Sequence, residues 1–179
     1  MAVSTLTKET AIELKSGELV HFRNPTEDDG SEMFRIVEES KVLDVNSPYS
    51  YLMWSKFFSN TSIVAETEDG EIIGFVSGFI QPEAPDTFFV WQVAVDSTYR
   101  GNGLATKLIH RILSQLKETE DVKYLEATVT PSNIPSSSLF RGMAKKYRAN
   151  CAIFDCFTEE QFPTDDHEKE LTYRIGPIQ

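Results

Sequence analysis

Apolar residues recur along the chain with two periods, and the switches between them mark the elements. Residues 18–23 alternate well enough to predict a first strand. Thr26, with Asp29 three positions on, resembles a capping box; it opens a predicted helix carrying Met33, Phe34, Ile36 and Val37 on one face. Residues 41–48 read as a loop and 49–58 as a short aromatic helix. The pattern then changes to β-rich runs at 63–65, 72–80 and 88–95. Glu68, Asp69 and Gly70 supply a hairpin turn between the first two runs, and residues 81–86, with Pro82 and Pro85, connect the second to the third. The clearest helix is 103–117, where Leu104, Ala105, Leu108, Ile109, Ile112, Leu113 and Leu116 form one apolar stripe. A strand at 125–130 follows. Asn133 then caps a helix with Pro135 in its first turn, running towards Tyr147. Residues 152–157 and 171–175 are the last predicted strands. The order β-α-α-β-β-β-α-β-α-β-β predicts an α+β domain. Residues 1–15 read as a flexible leader, which leaves 16–179 as a single domain.

Composition narrows the class. With 179 residues, 40% hydrophobic and 25% charged, the chain is long enough for one self-sufficient core, and disordered or fibrous classes are excluded. No apolar run approaches the ~18 residues of a membrane span, and the polar start does not read as a signal peptide. Cys151 and Cys156 are too few for a disulfide framework or a structural zinc site and read as small buried hydrophobes. His21, His110 and His167 are too scattered for a metal triad, so no metal is expected. A cytoplasmic protein is the expectation.

The formal net charge of −11 argues against nucleic acid or an anionic membrane as partner. It is unevenly spread. Residues 97–117 and 127–154 contain no acid and eight bases. One reading is an anion site on an otherwise cation-steering surface; the other is clustering on solvated helix faces.

The turn between 88–95 and the helix at 103–117 carries the chemistry. Arg100, Gly101, Asn102, Gly103, Leu104 and Ala105 enter the helix directly. Glycines let successive N–H groups point at one spot, the helix N-terminus adds free donors, and Arg100 and Lys107 add charge. The run lacks the third glycine of a dinucleotide fingerprint and the Gly-Lys-Ser/Thr of a P-loop.

What it resembles is the pyrophosphate-binding signature of the GNAT superfamily of N-acetyltransferases, Arg/Gln-x-x-Gly-x-Gly/Ala after a strand, matched by Arg100, Gly103 and Ala105. The element order fits over nearly the whole chain. The resemblance implies an α+β GNAT acyl-CoA N-acyltransferase fold, a mixed central sheet with helices on both faces, and 16–179 as one N-acetyltransferase domain. It implies acetyl-CoA as cosubstrate, with its pyrophosphate on the amides from Arg100 to Ala105. Its pantetheine would pair with the backbone around Val93, Ala94 and Val95, where two strands splay apart, and Asn133 and position 140 would complete the cofactor site. Residues 43–52, 74–78, 85–96, 128–133 and the tail around His167 and Glu168 are similar to the branch of the superfamily that acetylates L-2,4-diaminobutyrate in ectoine biosynthesis. That branch implies a homodimer, for which residues 49–58 and the last strands are candidate contacts.

Such chemistry needs a bound amine, a base, an oxyanion donor and a departing thiolate. The Val93 strand offers the backbone N–H for the oxyanion. Glu126, flanked by Leu125 and Ala127, is the candidate base, directly or through water; its other reading is a salt-bridged edge carboxylate. Asp44 is placed to hold an ammonium, or is a turn residue. Trp91 offers a cation–π wall or is a core aromatic. Asn46, Tyr49, Tyr51 and Thr128 are candidate pocket lining, with simple packing the other reading of Tyr49 and Tyr51; Asp155 is a weaker acid for the same work, or a solvated strand end. One departure stands out: many GNAT enzymes carry a tyrosine seven residues after the helix-opening asparagine, and here that position is Phe140, which has no proton to give. The competing functions are acetylation of another small cationic amine and a non-catalytic CoA sensor.

Overall fold

The computed structural model describes residues 11–164 and 166–179. The strands are β1 (Ala11–Glu13), β2 (Leu19–Arg23), β3 (Ile63–Thr67), β4 (Ile72–Gln81), β5 (Ala84–Val95), β6 (Tyr124–Val129), β7 (Asn150–Phe157) and β8 (Glu170–Gly176). The helices are α1 (Gly30–Ser40), α2 (Pro48–Phe57), α3 (Leu104–Thr119) and α4 (Ile134–Tyr147). Hydrogen bonding links the strands in the order β1-β2-β3-β4-β5-β6-β8-β7, and the β5–β6 pair is parallel. The sheet is therefore mixed, as expected. The described residues form two compact units: those up to Ser77 with Gln92–Ile112, and those of Gly78–Trp91 with Leu113–Gln179.

In the first unit, β2, β3 and β4 pair antiparallel, and Gly70 closes the β3–β4 hairpin at φ +86°. The capping box of Thr26 and Asp29 is present. Asp29 accepts the Thr26 N–H at 2.7 Å, but it does so in a 3₁₀ turn that precedes α1. The apolar face of α1 buries Met33, Ile36 and Val37 with Tyr51 of α2 against Val64, Ile72, Phe75 and Ala94. Successive residues of a strand face opposite ways. Next to Phe75 on β4, a Cβ on Gly74 would lie 3.4 Å from Leu108, so α3 packs on the other side of the sheet. The stripe predicted for α3 is buried at Leu104, Leu108, Ile109 and Ile112.

Most boundaries shift by one or two residues, and two differ in ways that matter to the site. β5 begins at Ala84 and not at residue 88, because a two-residue turn follows β4 and the exposed Pro85 sits near the strand start, where a missing N–H is tolerated. Of the expected leader, residues 1–10 lie outside the described residues. Ala11–Glu13, however, pair with β2 and Leu14 is buried. A three-residue strand of mixed polarity has no periodicity to read.

In the second unit, β6 runs beside β5 (Thr87↔Tyr124 to Phe89↔Glu126) and antiparallel to β8. Asn133 caps α4 as predicted, its Oδ1 accepting the Ser136 N–H at 3.1 Å, and the helix buries Phe140, Met143 and Ala144. β7 ends the strand order and, among the described residues, pairs with β8 alone. Its outer positions are exposed, so Cys151 is half-buried but Cys156 is not the buried hydrophobe expected.

Candidate active site

The run read as a candidate anion cradle lies in the first unit. A 3₁₀ turn, Ser97–Tyr99, leads off β5 and is capped by Asp96, whose Oδ1 accepts the Thr98 N–H at 3.0 Å. Burial works against the Asp96 charge, but the Thr98 N–H and hydroxyl and the Arg35 guanidinium hold its carboxyl below the ordinary range. Gly101 and Gly103 follow at φ +81° and +70°, the left-handed region that side chains disfavour. A Cβ at either position would meet nothing within 4 Å, so the glycines serve conformation and the face above them is open. α3 then starts at Leu104. Its first bond within the helix is Lys107 N–H to Gly103 carbonyl at 3.1 Å, which leaves the amides of Leu104, Ala105 and Thr106 as first-turn donors. Open donors, an exposed Arg100 and a half-buried Lys107 suit a pyrophosphate.

The acceptor-loop candidates lie in the same unit. α1 ends at Lys41 in the left-handed conformation (φ 55°), and the chain turns into residues 42–47. Gln92 of β5 donates to the Asp44 carbonyl at 3.1 Å and accepts the Tyr51 hydroxyl at 3.1 Å; that hydroxyl accepts the Asn46 N–H at 3.4 Å. Tyr51 is buried edge-on to Phe34 and Phe75. The loop carrying Asp44 and Asn46 is thereby pinned to β5, while the Asp44 side chain is exposed. Tyr49 is exposed on α2, beside a cleft with Leu52, Met53 and Lys56. Val93 and Val95 lie beyond Phe89, the last β5 residue in the ladder with β6 among the described residues.

In the second unit Glu126 is buried in the middle of the sheet, and its cross-strand partner on β8 is Arg174. The guanidinium donates to Glu126 and, at 3.2 Å, to Thr87 Oγ1, and lies 3.8 Å over the Tyr124 ring. Gln81 donates to the other carboxylate oxygen. Glu126 is salt-bridged, then, but not at an edge. Thr128 is half-buried on the same strand, opposite Thr172. Trp91 is 48% exposed, so it is not a core aromatic. Asp155 is exposed on β7 and pairs with Lys169 at 3.0 Å. Phe140 is buried with its ring 6.5 Å from that of Tyr173, whose hydroxyl lies 2.9 Å from Ser137 Oγ. Among the described residues no cluster of three His, Cys, Asp or Glu is placed to hold a metal.

Three polar partners join these candidates. Gln92 was legible as the one polar residue inside an apolar run. Gln81 and Arg174 were not, since only the pairing of β8 with β6 and the approach of the β4 end bring them to Glu126.

A mixed sheet whose parallel pair is bridged by a helix opening on a glycine cradle defines the class of acyl-CoA-dependent N-acyltransferases. The model of the acetyltransferase (GNAT) family matches residues 30–144, and the chain belongs to that family. It is 48% identical over 154 residues to the L-2,4-diaminobutyric acid acetyltransferase of Virgibacillus pantothenticus, covering 86% of this chain and 96% of that one. The protein of the same name from Oceanobacillus iheyensis is 50% identical over 161 residues, 88% of each chain. Among solved structures, the diaminobutyrate acetyltransferase EctA from Paenibacillus lautus, in complex with L-2,4-diaminobutyric acid and coenzyme A, matches with a TM-score of 0.84 and 37% identity, over 91% of this chain and 98% of that one.

Proposed function

We propose that this protein transfers the acetyl group of acetyl-CoA to the γ-amino group of L-2,4-diaminobutyrate, a step of ectoine biosynthesis. The observation that carries this reading is the likeness to diaminobutyrate acetyltransferases over more than four-fifths of the chain, with the phosphate cradle intact within it. The reading takes 16–179 as one N-acetyltransferase domain, supported by a family match that runs through both compact units.

In this mechanism the neutral γ-amine attacks the thioester carbonyl, the C–S bond breaks, the ammonium proton passes to a base, and the thiolate is protonated on departure. The cradle from Arg100 to Ala105 holds the pyrophosphate, and the backbone of Val93, Ala94 and Val95 holds the pantetheine. The Val93 N–H stabilises the oxyanion, a role suited to a preorganised amide. Asn133 and Phe140 close the cofactor site; Phe140 has no hydroxyl, so the thiolate proton comes from elsewhere. Glu126 accepts the amine proton, directly or through water, with Arg174 and Gln81 fixing its orientation. Asp44, Asn46, Tyr49, Trp91, Thr128 and Asp155 receive the diamino acid.

We further infer a homodimer in the cytoplasm. Exposed Tyr49, Leu52 and Phe57 on α2, and Phe154 and Phe157 on the edge strand β7, are apolar surface suited to a partner copy. No described helix is long and apolar enough to cross a membrane, and both cysteines are free thiols. Thiol release from acetyl-CoA with diaminobutyrate, ornithine, lysine, putrescine and spermidine, with the product located by NMR, tests the function. Turnover confined to diaminobutyrate with acetyl on the γ-nitrogen is expected. Equal turnover of the other amines overturns the substrate assignment. Sedimentation tests the dimer.

A further inference from the structure

We propose that Lys15 is the positioning residue of the phosphate cradle: it holds the peptide between Gly101 and Asn102 so that its amide faces the anion. The proposal rests on the acetyltransferase reading above. Lys15 stands in the turn between β1 and β2, which is closed by the Leu14 N–H donating to the Glu18 carbonyl at 2.8 Å and the Gly17 N–H donating to the Leu14 carbonyl at 2.9 Å. Its ammonium donates to the Gly101 carbonyl at 2.6 Å. Its main-chain N–H donates to Asn102 Oδ1 at 3.3 Å, and Asn102 Nδ2 donates onward to the Tyr99 carbonyl at 3.0 Å. One residue thus grips the loop with two atoms, from 86 and 87 positions away in sequence. Around this grip Lys15, Ser16, Thr98 and Arg100 border a cleft of about 480 Å³.

The geometry explains why a grip is needed. In a trans peptide the carbonyl and the following N–H point in opposite directions. Fixing the Gly101 oxygen on the ammonium turns the Asn102 N–H away from the β1–β2 turn. Glycine raises no Cβ barrier to a flip of this peptide, and the space around Gly101 is open. The flipped form would aim a carbonyl oxygen into a cradle whose other groups are donors. The freedom that lets Gly101 adopt φ +81° is the freedom that must be restrained. Lys15 restrains it and also offsets the partial charge of the carbonyl.

Lys15→Met keeps the aliphatic length and removes the donor; Lys15→Arg keeps a cationic donor. CoA affinity by calorimetry and steady-state kinetics with acetyl-CoA and with acetyl-pantetheine, which lacks the phosphates, test the proposal. Lys15→Met is expected to weaken CoA and raise KM for acetyl-CoA by about three- to tenfold, the scale of one charged hydrogen bond at an exposed site. kcat and the KM for diaminobutyrate stay within about twofold on the same scale. Acetyl-pantetheine turnover is unaffected, Lys15→Arg recovers most of the loss, and the loss persists at high salt. Equal CoA affinity in Lys15→Met and the unaltered protein overturns the proposal. So does an equal loss with acetyl-pantetheine, which reports general loosening, or a loss erased by salt, which reports long-range attraction alone. An unaltered protein that binds no CoA overturns the acetyltransferase reading itself, a result distinct from the others.

Discussion

The Tyr51 hydroxyl donates to Gln92 Oε1 at 3.1 Å, and through that contact a loop that carries two substrate candidates is tied to the strand that carries the proposed oxyanion amide. Gln92 completes the tie by donating to the Asp44 carbonyl at 3.1 Å. Tyr51 is held in turn by Phe34 and Phe75, so the loop inherits its position from the core of the first unit. The anchor uses the Asp44 backbone and not its carboxylate, and the side chain is exposed, as the proposed ammonium contact requires.

Gln92→Leu keeps the side-chain bulk and removes both bonds. It is expected to raise KM for diaminobutyrate by about five- to tenfold, with KM for acetyl-CoA within about twofold. Tyr51→Phe removes one bond and keeps the ring packing, so its effect on the same KM is about threefold. Kinetics with each substrate varied in turn separate the two constants. A rise confined to the acetyl-CoA constant contradicts the loop assignment.

Glu126 and Arg174 test whether the buried pair is catalytic or only structural. Glu126→Gln is expected to lower kcat by about a hundredfold, the scale of a lost general base. Arg174→Met leaves the carboxylate with Gln81 but without its cation and destabilises the fold by about 2 kcal/mol, less than a fully buried pair because the Arg174 side chain is 30% exposed. The double variant regains stability in urea denaturation but not kcat. Recovery of both would make Glu126 a structural carboxylate.

Much of this site was visible in sequence order, because its cradle is local. Strand, turn, Gly101, Gly103 and the α3 stripe are consecutive, so the candidate cradle can be read from one stretch of sequence. Every predicted helix and strand is present for the same reason, since each rests on a periodicity of its own. What escaped is contact across the sheet. That β8 inserts between β6 and β7, setting Arg174 opposite Glu126, leaves no mark on either segment. Lys15 falls at the end of the leader expected over 1–15, because the three residues of β1 carry no pattern, yet its ammonium bonds to Gly101 of the cradle. Cys156 failed as a core residue because an edge position is a property of strand order, not of the strand itself.

Gly103 offers a test of the cradle that leaves its charges in place. A Cβ there meets nothing within 4 Å, so the cost of Gly103→Ala is conformational, from φ +70°. The expected destabilisation is about 1 kcal/mol. If the loop relaxes towards negative φ, the Leu104 and Ala105 amides turn away, and KM for acetyl-CoA rises by about tenfold, as for the loss of a charge-assisted bond. Calorimetry with CoA checks the affinity and urea denaturation the stability. Unchanged CoA affinity in a folded variant contradicts a role for these amides.

The response to acid follows from three residues in the first unit. Arg23 donates to both oxygens of Asp29, at 2.7 and 2.9 Å, and to both oxygens of Glu66, each at 2.9 Å. For Asp29 burial works against the charge, but Arg23 and the Thr26 N–H outweigh it and hold the carboxyl below the ordinary aspartate range. Glu66 is held low chiefly by its bond to Arg23, against a smaller effect of burial. Both folded-state values are depressed, so the unfolded chain takes up protons first as pH falls. The stabilisation is complete above the ordinary carboxylate range and is lost as pH drops through it towards the lowered folded values. Asp29→Asn is expected to cost about 2 kcal/mol at neutral pH, the loss of a charge-assisted bidentate contact. It should also flatten the fall of the urea midpoint below about pH 5, where ordinary carboxylates begin to titrate. Urea denaturation of both proteins across that range measures the two slopes. Parallel slopes would mean that the triad does not set the acid limit of the fold.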